Sequence, residues 1–362
     1  MENMSSFNLI HHYATMAYNV LFKPYFVVSQ PKHVQVEVTT FCNMNCLSCG
    51  RRDIISKPQH MQFGKLKEIF DAIQPHNINL SGLGEPLLNP DIFNMITYCK
   101  SKGAVVNFPT NLNVSSKLVV KLVEAGPQQI KVSIDSATPE TYRKVRKANA
   151  FERIQKNIHL INTLKQEYNL QHPEIRFNFA LQKANIGELP QVLSLASELG
   201  VDTVYIQDLN YFSIEDKKSA LCNIDRRNLR AMLGKCALIA RKNRIKTNLD
   251  NWQRHFDLFY NKMLPQKKFQ PNSINCLFPW VSAFIDVHGN VKPCPVFVWE
   301  KGSYSLGNCL ENSFKVIWNG QKYRILRQSF KRRDREFAIC KRCVPPSLLD
   351  MRLIFSKMIL RS

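Results

Sequence analysis

Apolar and polar positions along the chain follow two alternating rhythms. Residues 4–22 place Leu9, Tyr13, Met16 and Val20 at helical spacing, with Ile10, Ala17 and Leu21 widening the stripe, and Pro24 and Pro31 end that helix. From residue 33 a period of two takes over. "HVQVEV" alternates Val34, Val36 and Val38, and further strands are predicted at 77–82, 104–108, 129–135, 174–181 and 203–209. Between them, helical spacing predicts helices over 64–73, 91–102, 116–125, 151–167 and 188–199. Six strands alternating with helices imply a parallel sheet with right-handed crossovers, in an open or barrel-like α/β fold.

The rhythm stops after residue 210. Residues 211–275 are polar and basic, helical in part, and are expected to connect. Residues 276–300 read as a hairpin, with "WVSAFIDV", an "HGN" turn and "VKPCPV", and a helix is expected at 313–330. The division expected is therefore 1–32 as an N-terminal helix and linker, 33–210 as the repeating body and 211–275 as a basic connector. A hairpin module at 276–345 and an amphipathic basic tail at 346–362 complete it.

Active sites in such folds gather where strands end. The cysteine-rich run "TTFCNMNCLSCGR" follows the first strand, "SGLGEP" the second and "PTN" the third, while "SIDS" ends the fourth. The 362-residue chain holds eleven cysteines. No secretory signal precedes them, which predicts a cytoplasmic location, and a reducing compartment favours metal or cluster ligation over disulfides. No apolar run reaches the length needed to span a bilayer.

Cys42, Cys46 and Cys49 place three thiols on one short loop. A structural zinc site wants four ligands. A four-iron cluster held by three thiolates keeps one iron open to a small molecule. The Cys-x3-Cys-x2-Cys run after a first strand resembles the signature of the radical S-adenosylmethionine (SAM) superfamily, and the likeness extends over about residues 33–209. It implies a partial (β/α)6 TIM-like barrel, a 4Fe-4S cluster on those three cysteines and SAM chelated at the open iron. It also implies one-electron cleavage to a 5′-deoxyadenosyl radical that takes hydrogen from substrate. The electron would come from an external donor of flavodoxin or ferredoxin type.

The resemblance carries further residues. "SGLGEP" is similar to the family's glycine-rich element, with Gly82, Gly84 and Glu85 in place and Leu83 inserted between the glycines. Thr110 and Asn111, Ser133 and Asp135, and Arg146 match positions lining the SAM cleft, with Arg143 a competitor for the last role. The residue before the third cysteine is usually aromatic and meets the adenine. Here it is Ser48, so Phe41 is the candidate for stacking. Tyr205 and Asp208, ending the sixth strand, are substrate-side candidates by position alone.

Cys276, Cys294, Cys340 and Cys343 form a second set. A lone cysteine, then Gly289-x4-Cys294 at the hairpin, then Cys-x2-Cys after a helix, is similar to the SPASM domain in its shortened Twitch form. This resemblance implies a small C-terminal α+β module of hairpin plus helix, with one auxiliary 4Fe-4S cluster and no open corner. Structural zinc is the rival occupant. Cys309 is an alternative ligand, and Cys99, Cys222 and Cys236 are expected to be plain buried thiols.

Charge narrows the substrate only in part. Fifty Lys and Arg against 28 Asp and Glu give +22, and from Gln321 to Ser362 twelve basic residues face three acidic ones. Such a surface attracts phosphate groups. The leading expectation is a small polar or phosphorylated, lipid-linked metabolite, with peripheral contact to an anionic membrane. Peptide or RNA modification is the alternative, although 41 residues before Cys42 are few for a leader-binding domain. Basic charge without aromatic platforms is also thin support for nucleic acid. A non-enzymatic protein holding clusters or zinc is the reading of a different class.

Overall fold

The computed structural model describes residues 6–208, 224–263, 276–299, 304–332, 337, 340 and 343. The six expected strands are present: β1 (His33–Val36), β2 (Asn77–Leu80), β3 (Val105–Thr110), β4 (Gln129–Ser133), β5 (Glu174–Leu181) and β6 (Thr203–Asp208). The first two stop two residues before the alternation does. Side chains in β5 alternate strictly, with Ile175, Phe177, Phe179 and Leu181 turned inward. The intervening helices follow their apolar spacing. In Phe63–Ile73 the buried side chains are Leu66, Ile69, Phe70 and Ile73, one face of a 3.6-residue period. Helix Ser116–Ala125 ends on Gly126 at φ +67, the left-handed cap that glycine adopts most readily.

Some elements depart from expectation. Helix Pro139–Arg146 has no apolar stripe beyond Tyr142 and Val145, so periodicity does not reveal it; Thr138 caps it by accepting from Thr141 N at 3.3 Å, and Pro139 opens it. The connector is helical in part, as expected, with helices Arg226–Lys242, Leu249–Arg254 and Phe256–Met263, and it adds an unexpected two-residue strand, β7 (Lys246–Thr247), parallel to β6. The helix expected at 313–330 is two, Phe314–Trp318 and Gln321–Lys331. The break has a tertiary cause: the Asn319 side chain accepts from Val27 N and donates to Val27 O, each at 2.9 Å.

The hairpin strands are β8 (Ser282–Ile285) and β9 (Asn290–Lys292), and β10 (Gly307–Asn308) adds a short edge. Trp280 and Val281, expected in the strand, sit instead in a helical turn, Phe278–Val281. The chain divides into two compact units. One comprises Met1–Val38, Met61–Gly82 and Gln270–Ser362. Within it β1 pairs in parallel with both β2 and β8, and β8–β9–β10 continue antiparallel. The hairpin is thus joined in register to the first strand. The other unit comprises Thr39–His60 and Leu83–Phe269, with β3, β4, β5, β6 and β7 all parallel.

The N-terminal helix, Ser6–Phe22, packs on Phe278–Val281 through a face that includes Met16. Leu21, expected in the apolar stripe, points outward, while the polar Asn19 is buried and donates to Ser29 Oγ at 2.9 Å. Among the described residues no helix is long and apolar enough to cross a membrane. The tail expected at 346–362 lies outside the described residues.

Candidate functional site

The cysteine loop begins where β1 has run out, and its two ends are stitched together. Thr40 N donates to Gln59 O at 2.9 Å, Gln59 N returns to Thr40 Oγ1 at 2.8 Å, and Thr39 bridges His60. The Thr39 hydroxyl also lies 2.8 Å from His60 Nδ1. Between these ends Cys42, Cys46 and Cys49 are all half-buried free thiols. Burial pushes the Cys42 thiol up to about 11 and raises Cys49 in the same direction. Neither ionises readily alone, and a bound metal supplies the charge that draws the proton off.

"GLGEP" packs against the backbone of this loop. Gly84 N donates to Thr39 O at 3.2 Å and Glu85 N to Phe41 O at 2.7 Å. A Cβ on Gly84 would collide with those two carbonyl oxygens, so only glycine fits. Gly82 is needed for a different reason, because its missing Cβ makes room for the side chain of Glu37. Glu37 is buried and accepts from Val287 N at 3.3 Å.

The Glu85 carboxylate is occupied within the chain. It accepts from Thr110 Oγ1 and Asn111 N, both at 2.6 Å, and from Leu87 N at 3.2 Å. Burial raises its pKa to about 7, while the bonds from Asn111 and Thr110 work the other way. Glu85 thereby ties the glycine-rich turn to the end of β3. Asn111 extends the tie, its amide donating to Asn43 Oδ1 at 2.8 Å and reaching Cys42 Sγ at 3.9 Å.

Past β4, Ser133 is half-buried and Asp135 is buried at φ +52. Asp135 accepts from Ala180 N at 2.6 Å and pairs with Arg146 at 2.7 Å. Burial raises the Asp135 pKa against the opposing pull of Arg146. Arg146 reaches Cys46 Sγ at 3.6 Å through its other terminal nitrogen, and its Nε is buried without a hydrogen-bond partner. Burial acts to lower the Arg146 pKa, but Asp135 and Cys46 prevail and raise it. The two candidate arginines separate clearly. Arg143 lies in an exposed contact, donating to Asn149 Oδ1 at 2.6 Å, while Arg146 is enclosed beside the thiols.

Several contributors carry no motif. Tyr142 is buried, and its hydroxyl contacts Met44 Sδ at 3.7 Å, anchoring the cysteine loop to helix Pro139–Arg146. Leu47 N donates to Val145 O at 2.8 Å and strengthens the same contact. Asn157 holds the loop after β3 by donating to the Leu112 and Val114 carbonyls, each at 3.0 Å. The two asparagines of "CNMNC" were a visible but ambiguous signal, and only Asn43 faces Asn111. Phe41 stacks on His60 with centroids 4.4 Å apart, so one ring face is covered. Tyr205 is buried in β6 with the Arg176 guanidinium 4.5 Å above its ring. The Asp208 side chain lies outside the described residues.

The second thiol set also converges. Cys294 is raised well above the ordinary thiol value, by burial first and then by the sulfurs of Cys343, Cys276 and Cys340. Cys343 N donates to Cys340 O at 3.4 Å. Cys309 is turned away. Its thiol donates to Gly289 O at 3.1 Å in the hairpin turn, where Gly289 adopts φ +88. Cys99 and Cys236 are buried, as plain thiols are, and Cys222 lies outside the described residues.

Among the described residues no three His, Cys, Asp or Glu side chains converge tightly enough to grip a single ion. A cluster with one iron per thiolate needs a wider arrangement, and an all-sulfur donor set fits it.

Residues 36–170 match the model of the radical SAM superfamily, and 276–344 match the SPASM iron-sulfur cluster-binding domain. The chain carries a radical SAM domain over residues 36–170. Its radical SAM domain implies SAM and a 4Fe-4S cluster, and its SPASM domain implies further cluster binding.

Two curated relatives are a probable GTP 3′,8-cyclase of Methanocaldococcus jannaschii, 27% identical over 47% of this chain, and an AdoMet-dependent heme synthase of Methanosarcina barkeri, 31% identical over 50%. The matched regions cover 56% and 51% of those proteins, so the chain spans about half the length of the curated relatives it matches. Among solved structures, Streptococcus suis SuiB bound to S-adenosylmethionine aligns with a TM-score of 0.67 at 15% identity, covering 90% of this chain and 74% of SuiB. That likeness shows the fold, an α/β partial (β/α)6 barrel of TIM-like kind with a smaller C-terminal domain.

Proposed function

We propose that this protein is a radical SAM enzyme that cleaves SAM reductively to a 5′-deoxyadenosyl radical and abstracts hydrogen from a small polar or phosphorylated, lipid-linked metabolite. One observation carries the reading. The three-thiol loop is flanked by the enclosed Arg146, whose Nε is buried and lacks a hydrogen-bond partner. An unpartnered buried donor is costly unless a ligand meets it. Cys42, Cys46 and Cys49 would hold the 4Fe-4S cluster, which supplies the one-electron reduction when bound.

The chain's own residues then have separable tasks. Arg146 Nε is the donor left for the SAM carboxylate, while its terminal nitrogens hold Asp135 and the Cys46 sulfur. Asn111 steadies Cys42. Glu85 and Thr110 hold the glycine-rich turn in place, leaving the backbone around Gly82 and Gly84 for the SAM ammonium group. Ser133 borders the same strand end. The face of Phe41 away from His60 is the platform for adenine. Cys276, Cys294, Cys340 and Cys343 would hold one auxiliary 4Fe-4S cluster with no open iron, suited to electron transfer or to stapling the module. A flavodoxin- or ferredoxin-type protein would deliver the electron.

A phosphorylated substrate is supported by the +22 charge and by the relative named for GTP. The two curated relatives described above are named for small molecules, GTP and heme, which favours a metabolite over a peptide. The deciding experiment is anaerobic reconstitution followed by reductant and SAM. Release of 5′-deoxyadenosine is expected, abolished by Cys46→Ala. Full loading of the first cluster without SAM cleavage would overturn the reading in favour of a non-catalytic cluster protein.

A further inference from the structure

The segment that leads from the N-terminal helix to β1 presents apolar side chains outward from a firmly held backbone. Trp280 Nε1 donates to Pro24 O at 2.8 Å, and Arg327 Nη1 to Tyr25 O at 3.1 Å. Asn319 clamps both backbone groups of Val27, and Trp318 Nε1 donates to Ser29 O at 3.0 Å. Of the apolar residues in this stretch, Val27 turns fully inward. Leu21, Phe22, Phe26 and Val28 are 73%, 62%, 61% and 77% exposed, and Tyr18 and Tyr25 are also exposed. A loosely held loop could fold such side chains away. Here two indoles, an amide and a guanidinium fix the backbone so that they stay out.

The clamp is itself costly to build. Arg327 is completely buried; it donates to Pro279 O at 2.9 Å, and its guanidinium lies 4.5 Å from the Trp318 ring and 4.9 Å from the Tyr323 ring. Burial lowers its pKa to about 10. A buried guanidinium is expensive, so it is retained where it holds something in place. Contiguous apolar exposure on this scale marks an interaction surface.

Charge identifies the partner. No acidic residue occurs from Asn3 to Val36, a stretch that includes Lys23 and Lys32. The helix Gln321–Lys331, which supplies the clamping Arg327, also lacks acids and carries Lys322, Arg324 and Lys331. Lys331 Nζ sits 4.9 Å over the exposed Tyr25 ring. Exposed aromatic and aliphatic side chains flanked by Lys23 and Lys331, on two segments whose sequences carry no acids, suit the headgroup boundary of an anionic bilayer.

We propose that residues 18–28 form a docking surface for an anionic lipid membrane. Leu21, Phe22, Phe26 and Val28 enter the headgroup boundary, and Lys23 and Lys331 meet lipid phosphates. This extends the lipid-linked part of the proposed function and rests on it in that respect alone. Its test reads binding without turnover, so either can fail separately.

The reconstituted holoprotein is sedimented with vesicles of phosphatidylcholine alone or mixed with phosphatidylglycerol. Binding is expected to the mixed vesicles and to weaken with salt. Phe26→Ser with Val28→Ser should lower vesicle affinity about tenfold or more while leaving iron content and SAM cleavage unchanged. In a Phe26→Trp variant, brominated acyl chains should quench fluorescence beyond the native tryptophan background. The proposal is overturned if wild type does not pellet, if the double variant pellets equally, or if the added tryptophan is unquenched. It is also overturned if lipid-free sedimentation velocity reveals a dimer that the double variant dissolves, since the surface would then belong to a second copy.

Discussion

Arg146 and Asp135 form a buried ion pair at 2.7 Å, and the same guanidinium reaches Cys46 Sγ at 3.6 Å. One side chain therefore links the strand end after β4 to the cysteine loop. Arg146→Ala would leave Asp135 enclosed without its partner, a loss of about 3–5 kcal/mol. Asp135→Asn should cost a comparable amount, because it leaves the enclosed Arg146 guanidinium without its counter-charge and accepts less strongly from Ala180 N. Urea unfolding of both single variants and the double variant reads the coupling. Arg143→Ala, at an exposed site, should fall within about 0.5 kcal/mol of wild type. Reduced SAM affinity in the Lys variant at 146, measured by equilibrium dialysis, would tie Nε to the ligand and not merely to the fold.

Glu85 predicts a pH dependence with a definite sign. Burial raises its folded pKa to about 7, above the value of about 4.3 for an unperturbed glutamate. Between those values the folded chain retains a proton that the unfolded chain has released. Stability associated with this group is therefore fully present below about pH 4.3 and is lost as pH rises through about 7. Urea midpoints across that window should decline more steeply for wild type than for Glu85→Gln. The variant should also start about 1–3 kcal/mol less stable, since its amide offers a donor where Asn111 N already donates.

Gly84→Ala tests the packing of the glycine-rich turn on the cysteine loop. The added methyl meets the carbonyl oxygens of Thr39 and Phe41, both backbone atoms that cannot rotate away. A cost of about 1–3 kcal/mol is expected, as for other overpacked sites, together with lower iron loading after reconstitution. Gly103→Ala is the comparison: its φ of +82 strains any side chain, yet nothing stands within 4 Å, so iron loading should be unaffected.

Much of this architecture was legible because period and burial agree. Val34 and Val36 alternate into the core, and Leu66, Ile69, Phe70 and Ile73 repeat as a helix must. The cysteine spacings were equally plain, since ligand loops are short and local. What stayed hidden depends on contacts distant in sequence. Helix Pro139–Arg146 is polar except for Tyr142 and Val145, and is held by Met44 and Leu47 of the loop it supports. Arg143 and Arg146 lie one turn apart in similar surroundings, and only the folded cysteine loop separates exposed from enclosed. Asn319 looked like an ordinary helical position until Val27, 292 residues earlier, claimed its amide.

Cys294 and Cys309, both in the hairpin module, should behave in opposite ways. Cys294 is grouped with Cys276, Cys340 and Cys343, whereas the Cys309 thiol donates to Gly289 O at 3.1 Å. Wild type reconstituted anaerobically should contain about eight iron atoms, four for each cluster. Cys294→Ser should fall to about four while SAM still binds, because the three-thiol loop is untouched. Cys309→Ser should keep the full count, since a hydroxyl can make the same bond to the Gly289 carbonyl. Burial pushes the Cys309 thiol up to about 12, so it should also resist alkylation in the folded protein. Iron and sulfide analysis with electron paramagnetic resonance of the reduced proteins distinguishes these cases. A Cys309→Ser protein with half the iron would exchange the assignments. A Cys294→Ser protein with the full count would remove the auxiliary cluster from this set of four.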